Sequence, residues 1–169
     1  MKKHINLILS VSFLILLGLI IWINYLIKND VGDINFDGSI DRSDFKICNE
    51  DRIFQYYFVK TSYIGERKAI RETILDYLKH ENIEFNRKSG YITFRFIVNC
   101  EGQAGRYRFK AVDEKLLKTT FSTEKIEKLK NAVMKLNNWK AGTFEDGIPA
   151  DSYYQISFKI MDGKIVDIF

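Results

Sequence analysis

Proline is almost missing: the 169-residue chain has one, Pro149. That excludes a proline-rich spacer or a polyproline recognition segment. Histidine is scarce as well, with only His4 and His80. His80 sits among Lys79 and Glu81 at the predicted end of a helix, where it serves as a dipole partner rather than a base. No Ser or Cys lies in a nucleophile elbow, and no phosphate-cradling glycine loop occurs. The neighbouring Asp113 and Glu114 fall in a predicted loop and read as solvated. The chain is therefore expected not to be an enzyme. A dominant charge is missing too: Lys and Arg number 26 against 22 for Asp and Glu, a net +4, and Lys2 and Lys3 supply two of those charges. An excess that small excludes nucleic acid as the expected partner. There is no internal repeat and no low-complexity stretch.

What is present is apolar and aromatic. Hydrophobic residues make up 46% of the chain, with nine Tyr and thirteen Phe. Such a composition can offset the entropy of ordering, so disorder is excluded. The longest apolar run is Ile5 to Ile27, INLILSVSFLILLGLIIWINYLI, without a charge. At helical rise it extends about 34 Å, enough for a hydrocarbon core of about 30 Å. Lys2 and Lys3 precede it, while Asp30 and Asp33 follow Lys28. Retention of positive residues on the cytoplasmic side predicts an N-in, C-out anchor, with Trp22 and Tyr25 near the outer interface. A cleaved signal peptide is the rival. The run exceeds the usual apolar region of one, no A-x-A site follows, and no Cys near its end would take a lipid. Either way the rest of the chain lies outside the cytoplasm. The expected organisation is residues 1–4 cytoplasmic, 5–27 transmembrane, 28–64 a stalk, and 65–169 one domain.

Residues 53–61, IFQYYFVKT, fit either an aromatic strand or a short helix. In 65–80, Ile70, Ile74, Tyr77 and Leu78 recur at helical spacing. Residues 91–100 alternate, with Ile92, Phe94, Phe96 and Val98 on one face. After the turn Glu101–Gly105, residues 106–112 alternate again, placing Tyr107, Phe109 and Ala111 opposite Arg106, Arg108 and Lys110. Ile126, Leu129, Val133 and Leu136 mark a second helix over 123–138, capped by Ser122 or Thr123. Residues 152–161 form a third strand with Tyr154, Ile156, Phe158 and Ile160 inward. Asp162-Gly163 turns it into a short last strand. The order α-β-β-α-β-β predicts an α+β domain with an antiparallel sheet and two helices.

Three features of this segment together carry a family likeness. They are the strand and turn Gly90–Gly105, the series Leu136, Trp139 and Gly147-Ile148-Pro149, and the apolar strand Ile156–Ile160. In that order they resemble the C-terminal domain of TonB, over about residues 65–169. The resemblance implies a Gram-negative envelope, an inner-membrane anchor with the domain in the periplasm, and a sheet edge that pairs with another envelope protein. The chain lacks the proline-rich spacer and the intramembrane histidine of energy-transducing members. The implied role is thus a protein-interaction module without energy transduction, and no individual binding residue carries over.

A second motif precedes the domain. Asp33, Asn35, Asp37, Ser39, Asp41 and Asp44, with Gly38 at the sixth position, resemble an EF-hand loop and more closely a dockerin loop. Calcium is a hard ion requiring six to eight oxygens, and Gly38 permits the sharp turn. The pattern predicts Ca²⁺ held by those six residues, stiffening the stalk; a solvated acidic linker is the alternative. The two cysteines, Cys48 and Cys100, form an even set in an oxidising compartment and favour a disulfide; two buried thiols or a metal pair are the alternatives. Arg95, Arg106, Arg108 and Lys110 are expected on one face of the hairpin, either solvated or meeting an acidic partner. The alternative to an interaction module is a structural or regulatory envelope protein, stiffened by calcium and the disulfide.

Overall fold

The computed structural model describes residues 2–30, 34–81 and 83–169. They divide into two units, Met1–Asn35 and Phe36–Phe169.

The first unit is one helix, α1 (Lys2–Asp30). Every side chain from Asn6 to Ile23 is exposed, and that stretch is long and apolar enough to cross a membrane. A helix apolar on all sides with no protein covering it is not stable in water. Its backbone groups are bonded internally, which is what a lipid solvent demands. The chain therefore carries an N-terminal apolar helix of the kind used as a membrane anchor or a signal sequence.

The second unit is α+β. Its elements are β1 (Phe54–Gln55), α2 (Tyr56–Val59), β2 (Ser62–Tyr63), α3 (Glu66–Leu78), β3 (Gly90–Val98), β4 (Ala104–Val112), α4 (Thr123–Met134), β5 (Trp139–Lys140), β6 (Gly142–Thr143), β7 (Pro149–Ala150), β8 (Ser152–Met161) and β9 (Lys164–Ile168). The main sheet runs β4–β3–β8, with β1 and β9 also joined to β8. β2 pairs with β5 and β6 with β7 in separate ribbons.

One face of the main sheet supplies Ile92, Phe94, Phe96, Val98, Ile156, Phe158 and Ile160 to the core. Helices α3 and α4 cover it with Ile70, Ile74, Leu78, Ile126, Leu129 and Val133. Each such side chain contributes about 1.5–3 kcal/mol by leaving water. Trp139 fills the far end of this core, beside Phe96, Tyr63 and Tyr154. Its indole N–H donates to the Leu136 carbonyl at 3.0 Å, which removes the cost of burying it.

Three expectations need correction. The sheet is mixed rather than purely antiparallel, because β1 runs parallel to the start of β8. Residues 53–61 are neither one strand nor one helix: Phe54–Gln55 pair with β8, and Tyr56–Val59 then close one helical turn. Phe109 does face the Phe94 side, as its alternation gives, with ring centroids 6.2 Å apart, and it is 52% exposed. β4 is an edge strand with a neighbour on one side, so alternation there does not guarantee burial. Finally, 28–64 is not a stalk beyond residue 35. Phe36–Ile64 belong to the folded unit, held by a disulfide, ion pairs and the pairings of β1 and β2.

Candidate functional site

The second face of the sheet is covered by a strap, residues 36–50. Its course follows from what it meets. Phe36 takes the Arg106 guanidinium over its ring, at 5.4 Å. Asp41 accepts two hydrogen bonds from Arg108, each 2.7 Å. Phe45 lies on Gly105, where any Cβ would collide with the ring. The Lys46 carbonyl accepts from the Asn99 amide at 2.8 Å. Cys48 then bonds to Cys100, with Cα atoms 6.1 Å apart. Glu50 closes the strap with a two-pronged pair to Arg106, one prong at 2.8 Å.

Three of the four basic residues named from the sequence therefore have partners within the chain. Arg106 pairs with Glu50, Arg108 with Asp41, and Arg95 stacks over Tyr153 at 4.1 Å. Lys110 is exposed. The hairpin register explains the burial of Arg106. Arg95 faces Arg108 but Ile97 faces Gly105, so β4 carries one extra residue opposite Phe96. That bulge puts Arg106 at φ 53° and buries its side chain beneath the strap. Simple alternation could not show this.

The acidic loop is the other half of the same contact. Asp37 accepts the Ser39 amide and hydroxyl at 2.9 and 2.6 Å, which lowers its carboxyl below the usual range. Asp41 is lowered by Arg108 and by the Asp37 amide. Asp44 is lowered by its pair with Arg42. Asp33 lies outside the described residues, and Asn35 is exposed. Among the described residues, no three of these carboxylates come close enough to share an ion. Both oxygens of Asp41 and both of Asp44 are already given to arginines. As arranged, a calcium ion held by Asp41 or Asp44 would have to displace those arginines.

The Asp41–Arg108 pair makes a test. The Asp41 side chain is 2% exposed, and Asp41→Asn is expected to cost about 2 kcal/mol at neutral pH by removing the charged, two-pronged acceptor of Arg108. The folded carboxyl is depressed, so its stabilisation is complete above its unfolded value of about 3.9 and fades as pH falls through the folded one. Urea midpoints should differ widely between wild type and variant at neutral pH and converge in acid. An equal gap at both would refute the pairing.

Asp151 was not legible as a site residue. It sits just before β8 and is 2% exposed. Its carboxylate accepts the backbone amides of Cys48 at 3.2 Å, Asn49 at 2.7 Å and Cys100 at 2.9 Å. It thus binds both ends of the disulfide and the end of the strap. The two sulfurs and Asp151 lie close together, but the disulfide removes the thiolates a metal would need. Beside them opens a cavity of about 630 Å³ lined by Asn49, Arg52, Phe54, Phe144, Ile148 and Pro149. Phe54 and Phe144 meet edge to face at 4.9 Å, and Arg52 lies over Phe54.

These features define a class: an α+β domain whose second sheet face is closed by a disulfide-fixed strap, in a chain that begins with an apolar helix. No protein family, curated protein or solved structure matches this chain.

Proposed function

We propose that the chain is a single-pass inner-membrane protein whose folded unit acts in the periplasm as a protein-interaction module, without energy transduction. The uncovered apolar helix supports the anchor, and the Cys48–Cys100 disulfide supports an oxidising compartment. The order of strands and helices, Trp139 and the Gly147-Ile148-Pro149 loop support the likeness to the TonB C-terminal domain. A partner is best accommodated at the aromatic-walled cavity and the short helix next to it in the chain, where Tyr57 and Phe58 are exposed.

The carrying observation is the coexistence of a lipid-type helix and a disulfide in one short chain. An impermeant amine label applied to intact spheroplasts should modify Lys68 and Lys79, both well exposed, and spare Lys2 and Lys3. The reverse pattern would refute the orientation. A photo-crosslinking residue at position 58 should then yield one discrete adduct with another envelope protein. The second reading, a structural or regulatory protein without a dedicated partner, is favoured by the internal pairing of Arg106 and Arg108. It predicts no adduct.

A further inference from the structure

Three exposed large apolar side chains, Phe109, Leu116 and Leu117, lie on one strand and the turn that follows it, and two more, Phe36 and Ile40, lie on the strap across the opposite sheet face. Phe109 lies on β4 itself. Phe36 packs on Arg106 of β4, and Ile40 precedes Asp41, which is bound to Arg108 of β4. Leu116 and Leu117, 70% and 61% exposed, form the tip of the turn that continues β4. After Val112 the chain folds back: Lys118 bridges to Val112, and the Thr119 amide donates to the Ala111 carbonyl at 3.1 Å.

The turn is rigid and built to present its leucines. The Asp113 carboxylate accepts the amides of Lys115 and Leu117, each at 2.9 Å. The Asp113 amide donates to the Leu117 carbonyl at 2.9 Å. Leu116 is held at φ 62°, a left-handed conformation that Gly or Asn adopts more readily. A turn facing only water would gain from either of those residues. Here an apolar side chain stands at the tip despite the strain. Cations flank it in the chain: Lys110, Lys115 and Lys118 are exposed, and Lys88 reaches the Thr120 carbonyl at 2.8 Å. Against them stand Glu114 and Asp113, the latter turned onto its own amides.

Chain length supplies the partner. Six peptide steps separate Asp30, the last residue of α1, from Phe36, the first of the folded unit. Such a segment reaches at most about 20 Å. A tether that short keeps the unit within reach of any bilayer that holds the helix. The strap that begins at Phe36 enters beside β4.

We infer that β4 and its Leu116-Leu117 turn form a lipid-seating edge, which binds an anionic bilayer surface. The leucines and Phe109 enter the headgroup layer, and the lysines meet anionic lipid. Exposed apolar tips flanked by lysine bind such interfaces through buried apolar area plus charge attraction. The seat rests on the anchor reading above, and its test separates the two.

The full chain is reconstituted in phosphatidylcholine vesicles with a minority of phosphatidylglycerol and a phospholipid carrying a photoactivatable group near its glycerol. After illumination, adducts are mapped by peptide mass. Expected are adducts within residues 6–23 and on the segment 109–118. Leu116→Ser with Leu117→Ser should lower the second set by about fivefold and leave the first unchanged. Lys115→Glu with Lys118→Glu should lower it too, as should omission of phosphatidylglycerol. Both variants change exposed side chains, and an intact Cys48–Cys100 disulfide in each confirms folding. Adducts in 6–23 with none in 109–118 would overturn the seat while leaving the anchor. Adducts nowhere would overturn both.

Discussion

Reduction of the Cys48–Cys100 disulfide is expected to lower the stability of the folded unit by about 4 kcal/mol. The bond joins residues 52 apart in sequence. Breaking it returns to the unfolded chain the freedom of a loop of that size, and the chain-entropy relation sets the figure. The loop enclosed contains β1, α2, β2, α3 and β3, and the strap runs into it at Cys48. The bond pins the strap's C-terminal end, so the loss falls first on the strap, whose remaining ties to β3 and β4 are ion pairs, a hydrogen bond and the Phe45 contact. Urea denaturation of the full chain carrying Trp22→Phe in detergent, followed by Trp139 fluorescence with and without reductant, measures this. Cys100→Ala should reproduce the effect of reductant. A loss below about 1 kcal/mol would mean that the strap stays docked without the bond.

Asp151→Ala is expected to be comparably damaging, at about 4 kcal/mol. The substitution strips the acceptor from three part-buried backbone amides at once, and each stranded donor costs about 1–3 kcal/mol. Asp151→Asn retains one acceptor oxygen but turns an amino group toward a donor, so it should cost about half as much. The two changes are coupled, because two of the three amides belong to the bonded cysteines. In a Cys48→Ala/Cys100→Ala background the strap is already loose, and Asp151→Ala should then cost clearly less than in wild type. Additive losses in this double-mutant cycle would show that the carboxylate supports the β8 entry alone and not the strap.

Some contacts were legible early because they depend on short-range pattern. Ile70, Ile74, Ile126, Leu129 and Val133 follow helical spacing and are buried. Ile92, Phe94, Phe96, Ile156, Phe158 and Ile160 alternate and are buried on one sheet face. The pairing of Cys48 with Cys100 was favoured by their even number. Asp151 left no such trace. An acid after Pro149-Ala150 reads as any turn residue, and its value comes from amides far away in the chain.

The amino-acid sequence alone determined the apolar helix, the two core helices, the long hairpin and the β8–β9 turn. These rest on periodicity and on turn chemistry within a few residues, where the chain's own spacing sets which side chains share a face. Only the tertiary structure decided that Phe36–Ile64 join the domain, that β1 enters parallel to β8, and that the acidic loop and the basic strand face neutralise each other. Oppositely charged side chains look alike in sequence whether they meet water or one another. Which they meet depends on the path of the strap, and that path is set by a bulge at Arg106, a missing Cβ at Gly105 and a covalent bond between distant residues.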